Sequence, residues 1–503
     1  MKNHYSFFLA ILFFVIVKSS LGQESPGITQ GNYAGSMMNR LNPSTMLQSK
    51  VYMDISIVSA TVFGQNDFAY IPGKDINIIP LITGSESMPT YSPSGNNFLY
   101  FQNKAPKTVS SLVNVYGLSG MIMLREQSFA FYTAVRTYAS AHNIPYEIPV
   151  FGAETLRYTP LHNINFDDHD FAAASLTWGE IGLSYARTIL QQNNDHWALG
   201  VTVKRVQGLA AAFIKATNAN YMVLNHNTIQ IYDMNLDAGF SVPIDYQSND
   251  LVTNPLFKGG GFGVDLGVTF TRRMSGFQKN YRQRICEEPY RDYFWRAGLS
   301  ILDLGSISFK RNSELHQFNV VNATLEEIDK INVGSLDQLM GELSSRLLND
   351  PDASYIGDSF KIGLPTAISG QFDLHFQPNW YINALVVHPL TVNKYNVRRP
   401  AEIAITPRYE TDWFEFMVPI SLYEYTQARV GLAMRFGVLT LGTEQLLSIL
   451  SIGNVKGMDF YAGIKINFRK GICLFGNDNG ACSTDYGYKP KRKSLLRSGN
   501  LFR

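Results

Sequence analysis

The stretch FYAGIKINF, residues 460 to 468, alternates without a break: Phe460, Ala462, Ile464, Ile466 and Phe468 fall on one side, Tyr461, Gly463, Lys465 and Asn467 on the other. A period of two assigns the sets to opposite faces of a β-sheet. A further 35 residues of different character follow, so the last regular strand of the chain ends on an aromatic side chain.

The same pattern recurs upstream. In 261–270 Phe262, Val264, Leu266, Val268 and Phe270 oppose Gly263, Asp265, Gly267 and Thr269. In 413–423 Phe414, Phe416, Val418, Ile420 and Leu422 oppose Trp413, Glu415 and Ser421, and in 429–438 Val430, Leu432, Met434, Phe436 and Val438 oppose Arg429, Gly431, Ala433, Arg435 and Gly437. Strands are expected near 51–63, 112–124, 128–139, 174–189, 196–206, 229–242, 261–271, 293–306, 364–376, 380–389, 401–410, 413–424, 428–441 and 458–468, fourteen in all. With 27 Tyr, 32 Phe, 40 Gly and only 17% charged residues, the composition is strand-like.

A soluble sandwich would bury each bulky face against a second sheet and would use shorter strands. A transmembrane barrel turns that face to lipid, needs about 9–11 residues per strand, and must close because no edge can stay unpaired in hydrocarbon. An even strand count, a secretory N-terminus and an aromatic last residue favour an all-β, transmembrane antiparallel barrel spanning residues 51–468. Phe460, Ile464, Ile466 and Phe468 resemble the closing signal read by the outer-membrane assembly machinery.

Residues 1–22 form a signal peptide: Lys2, the apolar run from Phe7 to Val17, and a small-residue exit favouring cleavage after Gly22. That run is too short to span a bilayer as a helix, and no later apolar run is long enough. Lys2 and Lys18 account for the formal charge of +2, leaving the mature chain balanced. Its distribution is uneven: the tail 469–503 carries eight Lys or Arg, including KPKRK at 489–493, against Asp478 and Asp485. The tail reads either as a solvated extension or as an arm touching acidic lipid, cell wall or a partner. Cys473 and Cys482 could form a small loop, with Cys286 left over.

The segment GNYAGSMMNRLNPSTMLQSKVYMDISI, residues 31–57, is too rich in Gly, Asn and Pro for regular structure, and Asn42-Pro43-Ser44 favours a turn. It resembles the "NPA" stretch opening the long-chain fatty acid transporter (FadL-like) barrels. It is similar also to uncharacterised Bacteroidota outer-membrane barrels that contain phrases like LSILDLGSI and IGLPTAI, here at 299–307 and 362–368. Here Ser44 stands where that motif has alanine. The resemblance implies a lumenal hatch over residues 23–50 with Asn42 and Pro43 at its turn, and a cell outer membrane address. Asp265, Asp373, Glu402, Arg408, Glu415, Arg429, Arg435 and Lys465 all fall opposite apolar faces, so they are expected to line the lumen, either as a structural ladder or as substrate contacts.

A long insertion, about 310–362, contains SLDQLMGELSSRLL with Ser335 and Gln338 in capping-box spacing and Leu336, Leu339, Met340, Leu343 and Leu347 on one face. TEQLLSIL at 443–450 is a shorter helix candidate. With both barrel ends on one side, this strand list puts the short connections 377–379 and 411–412 outside and the insertion inside, the reverse of the usual arrangement. A miscount between 207 and 300 would produce that reversal.

HNINFDDHDF, 162–171, gathers His162, Asp167, Asp168, His169 and Asp170 without the spacing of a known cation loop, so no metal is assigned. There is no GxSxG, HExxH or phosphate loop, so neither catalytic residues nor a cofactor are assigned, and nothing suggests nucleic acid as a partner. The leading expectation is passive transport of hydrophobic or amphipathic small molecules. The alternatives are a non-conducting subunit of an outer-membrane secretion or assembly complex with envelope partners, and a membrane-embedded hydrolase.

Overall fold

The computed structural model describes residues 24–73, 99–124, 126–274, 292–331 and 334–468. The expected signal peptide, the basic tail and all three cysteines lie outside these residues. We number the principal strands β1 (Met53–Asn66), β2 (Lys107–Leu124), β3 (Gln127–Ile144), β4 (Asn165–Gln192), β5 (Asp195–Asn225), β6 (Thr228–Ser241), β7 (Gly259–Arg273), β8 (Tyr293–Phe309) and β9 (Glu314–Leu325). They continue with β10 (Phe360–Gly363 and Ala367–Gln377), β11 (Trp380–Pro389), β12 (Glu402–Glu410), β13 (Phe414–Met417 and Ile420–Tyr423), β14 (Gln427–Val430 and Leu432–Phe436), β15 (Leu439–Thr443) and β16 (Gly457–Phe468).

All of these except β6 and β9 form a closed antiparallel wall of fourteen strands. Closure is made by β1 against β16, with Met53 opposite Phe468 and Gln65 opposite Gly457. Phe460 and Ile464 point outward, while Asp459, Tyr461 and Lys465 are buried. Large apolar side chains cover the outer wall, among them Leu183, Val203, Phe262, Leu266, Leu299, Ile405, Ile420 and Phe436. A single sheet that exposes one continuous apolar face and buries charge on the other is the inside-out pattern of a membrane barrel.

Aromatic rings mark one rim of this belt. Trp197 packs edge-on against Phe270 at 5.0 Å, Phe270 meets Trp295 at 4.9 Å, and Trp380 meets Tyr409 at 5.0 Å. With exposed Trp413, four of the five tryptophans sit at strand ends on this rim, where amphipathic rings suit a membrane interface. Against one short connection between wall strands at the opposite end, Tyr423 to Gln427, this end has five, from Leu124 to Gln127, Gln192 to Asp195, Gln377 to Trp380, Glu410 to Phe414 and Phe436 to Leu439. It is the end where the chain enters β1 and leaves β16, and its short turns make it the periplasmic side.

Two expected elements differ, and their errors cancel in the count. The segment expected as a wall strand at 229–242 is β6, which pairs only with the outer part of β5 and with β9, beyond the wall. The single strand expected at 428–441 is two wall strands, β14 and β15, joined by a hairpin in which Gly437 adopts φ +55°. Removing β6 from the wall reverses the loop parity between them. The 378–379 and 411–413 turns are periplasmic, and the segment 310–359 is extracellular.

β4 and β5 run for 28 and 31 residues, far longer than a membrane crossing requires. Their outer ends continue with β6 and β9 into an extracellular sheet. Helix α2 (Leu336–Leu348) covers one face of it. The Ser335 hydroxyl accepts the Gln338 amide, and Met340 sinks among Ile231, Phe240, Phe318 and Val320 with Leu336, Leu343 and Leu347 packed beside it. The expected helical face therefore packs on the sheet. The 443–450 candidate is a four-residue turn, Leu446–Ile449.

Placing an arginine at Leu183, which is 65% exposed within the belt, should cost about 2–4 kcal/mol by unfolding in phospholipid vesicles. Unchanged stability would mean that this face does not meet lipid.

Candidate functional site

Residues 24–52 lie inside the cylinder. A short helix, Pro26–Thr29, and two 3-10 turns, Gly35–Arg40 and Pro43–Gln48, are buried almost throughout. Asn42 caps the second turn: its side-chain oxygen accepts the Ser44 amide at 3.0 Å and hydroxyl at 2.6 Å, with Pro43 fixing the first turn residue. The Asn42 amide reaches the wall, donating to Gln371 at 3.0 Å and to the Val268 carbonyl at 3.3 Å. The wall admits this approach at Gly267, where a Cβ would stand 2.0 Å from Asn42 Oδ1.

Polar side chains supply the remaining tethers. Asp54 accepts the Ser36 amide and hydroxyl, the latter at 2.7 Å. Glu410 takes Asn32 and Lys50, each at 2.6 Å, and Tyr33 donates to Asp412 at 2.9 Å. Ser25 and Thr61 share a hydrogen bond of 2.9 Å. Lys465 donates to the Tyr33 carbonyl. The segment is therefore bound to the wall by side-chain hydrogen bonds, ion pairs and apolar packing, and it joins the backbone ladder at Tyr52, whose amide donates to the Phe468 carbonyl and whose carbonyl accepts the Met123 amide.

The eight lumenal charges singled out in the sequence are all buried. Asp265 pairs with Lys204 at 2.6 Å, Asp373 with Arg296 at 2.8 Å and Arg408 at 3.1 Å, Glu402 with Arg429 at 2.9 Å, and Glu415 with Arg435 at 2.8 Å. Arg408 also holds Glu410 at 3.1 Å. Register brings these partners together: Arg296 lies opposite Asp373, and Glu415 opposite Arg435.

The densest cluster was not singled out in the sequence. Asp303 accepts Arg136 at 2.9 and 3.1 Å, Lys204 at 2.6 Å and Arg399 at 2.5 Å, and Arg399 also faces Glu24 at 3.3 Å. In β8 the residues Arg296, Ser300 and Leu302 are buried, so strict alternation would aim Asp303 at lipid. A bulge between Ile301 and Leu304, with Asp303 at φ +53°, shifts the phase and turns the carboxylate inward. A lone aspartate on an otherwise apolar outward set was the available signal.

The lumen is filled in layers. Toward the outside Phe63, Trp178, Val206, Phe213, Ile307, Phe309, Ile362 and Tyr423 converge, with Val397 folded in from the loop 390–401. Beneath them lies the Asp303 cluster, then residues 24–52. Two cavities remain, one beside Arg40, Arg136 and Asp303, the other beside Gln30, Asn42 and Asp373, each with about 30 Å³ of free space. That is room for one or two waters.

Above the membrane, helix α1 (Glu147–Glu154) docks Glu147 beside Asp168, with the Tyr221 hydroxyl donating to Glu147 at 2.9 Å. His162 is tied to the Leu156 carbonyl at 2.7 Å, and His169 lies 3.5 Å from Asp167. Among the described residues no three His, Cys, Asp or Glu side chains are placed to hold a metal.

The fold and interior together define an outer-membrane β-barrel. The chain belongs to the family described as "Family of unknown function (DUF5723)", whose model matches residues 43–444. No curated protein matches it. Among solved structures it is similar to the TodX deltaS2S3 mutant monoaromatic hydrocarbon channel, at 9% identity over 89% of this chain and 98% of that one, TM-score 0.41. It is similar also to the Ralstonia pickettii toluene transporter TbuX, at 8% identity over 90% and 99%, TM-score 0.39, and to the Pseudomonas putida toluene transporter TodX, at 9% over 89% and 96%, TM-score 0.37.

Two outcomes follow from this geometry. Asp303→Asn should destabilise the barrel by about 3–5 kcal/mol in denaturant titrations, because three buried cations lose their shared carboxylate. Glu342→Gln, which breaks the half-exposed pair with Arg346, should change stability by less than about 0.5 kcal/mol.

Burial pushes the Glu147 carboxyl up to about 8, and neighbouring Asp168 adds to the rise. The folded state thus keeps a proton that the unfolded chain releases near 4.5, and docking of α1 weakens as pH rises from there toward 8. Proteolysis within 145–164 should be slower at about pH 5 than at about pH 9, and Glu147→Gln should remove the difference.

Proposed function

We propose that this barrel is a passive conduit for hydrophobic and amphipathic small molecules across the outer membrane, and that residues 24–52 act as its hatch. One observation carries the reading. Below its outer layers the lumen is occupied by a length of chain that is joined covalently to the wall where it enters β1, tethered by the side chains of Asn32, Ser36, Asn42 and Lys50 and packed through Ile28, Met37, Leu41, Met46 and Leu47. Each tether is worth about 0.5–3 kcal/mol net, so a few can be exchanged for water or solute at modest cost.

The layering suits an amphipathic passenger. An apolar body would meet the Trp178 and Phe309 layer first, and a polar end would then be received by the arginines and carboxylates around Asp303. No covalent chemistry is involved, and Asn42 with Pro43 would serve as the pivot.

Locking tests this directly. Ser44 and Thr269, whose hydroxyls are 2.5 Å apart, can be replaced as S44C/T269C in a background where Cys286, Cys473 and Cys482 are serine. In liposomes, oxidation should abolish toluene permeation and dithiothreitol should restore it, while deletion of 24–45 should raise permeation. Undiminished permeation through the oxidised barrel would refute a moving hatch.

A further inference from the structure

The extracellular sheet has two unlike faces. One carries Phe166, Tyr221, Ile231, Phe240, Phe318 and Val320 and lies beneath α2 and the α1 loop. The other is a grid set by register. One row across β4, β5, β6 and β9 is His169, Asn218, Asn235 and Asn319. The next row outward is Asp167, Asn220, Asp233 and Val321, and the next is Asn165, Met222, Gln230 and Thr324. Below the first row comes Ala172, Lys215, Asp237 and Gln317, in which Lys215 donates to the Lys394 carbonyl and Asp237 pairs with Lys394 at 2.8 Å, and beneath that the face continues into Phe213 and Leu315, which close the top of the lumen with Tyr395.

This face departs from local preference. Asn and Asp are depleted in strands, yet six of the eight positions in the first two rows are Asn or Asp. Where side chains contradict the propensity of their own element without packing gain, a functional demand is the usual reason. Asp167, His169, Asp233, Asn235 and Asn319 are exposed, and no helix or loop covers them among the described residues. The Asn218 amide donates to Asp233 and the Asn220 amide to Asp167, which orders the grid, while the side-chain oxygens of Asn218 and Asn220 are buried within it and accept no hydrogen bond from the protein.

We infer that this grid is a binding surface for a neutral carbohydrate chain. Strands about 4.8 Å apart, with rows about 6.7 Å apart, present a flat array of paired donors and acceptors. Each carboxamide offers both functions, which matches the hydroxyls of a sugar, each at once donor and acceptor. Tyr232, partly exposed with its hydroxyl 3.9 Å from Met222 Sδ, supplies a ring beside the grid against which the C–H face of a sugar can pack. The three rows contain two aspartates and no lysine or arginine, so sulfated or phosphorylated glycans are disfavoured.

The inference is independent of the conduit reading. Full-length barrel in detergent would be applied to immobilised neutral hexaoses (cello-, manno-, xylo- and maltohexaose) beside heparin and polygalacturonate. At least one neutral oligosaccharide should bind saturably and the anionic polymers should not. N218A/N235A and, separately, Tyr232→Ala should weaken binding by about tenfold or more, with thermal unfolding unchanged. The S44C/T269C lock should leave binding intact, which separates this surface from the lumen. The inference is overturned if no neutral oligosaccharide binds above the anionic polymers, if binding survives N218A/N235A, or if light scattering shows the face closed in a dimer.

Discussion

Closure of the wall is the constraint on which everything else rests. In hydrocarbon an unpaired backbone amide or carbonyl has no water to turn to, so the ladder between β1 and β16 must form for any of the strands to remain in the membrane. Once the cylinder is shut, each strand has one face in lipid and one in an enclosed interior. The alternation of Phe460 and Ile464 with Tyr461 and Lys465 is the local expression of that requirement.

Enclosure then dictates the interior. Charged residues excluded from lipid are held in a space with almost no water, and each has to be matched. Register does the matching for Arg296 with Asp373 and for Glu415 with Arg435, while the bulge in β8 delivers Asp303 to three cations drawn from β3, β5 and the loop before β12. Such pairs add little net stability over an apolar filling, but they punish misplacement severely. The N-terminal segment is held in the same way, by polar groups of the wall directed at Ser36, Asn32 and Lys50, together with apolar packing of Ile28, Met37 and Leu41.

Much of this was legible in the sequence wherever alternation was strict. The outward and inward sets of β7, β13, β14 and β16 follow from period two alone, and so do the buried charges of those strands. Legibility failed where phase or role depended on distant partners. β6 alternates as well as a wall strand does, because its apolar face is buried too, under α2 instead of in lipid. The break at Gly437 was masked by apolar residues on both sides of it, and the bulge that turns Asp303 inward is marked in the sequence by one aspartate on an apolar set.

Sequence by itself determined the class: a chain of amphipathic strands, the last ending on the aromatic Phe468, with no helix among the described residues long and apolar enough to cross a bilayer. It also marked Asn42 and Pro43 as a turn. Only the tertiary structure decided which strands belong to the wall, which way the long loops point, that residues 24–52 fill the lumen, and that four strands project a carboxamide grid outside it. The physical reason is that alternation fixes a side chain's face, but only long-range strand pairing decides whether lipid, lumen or water lies against that face.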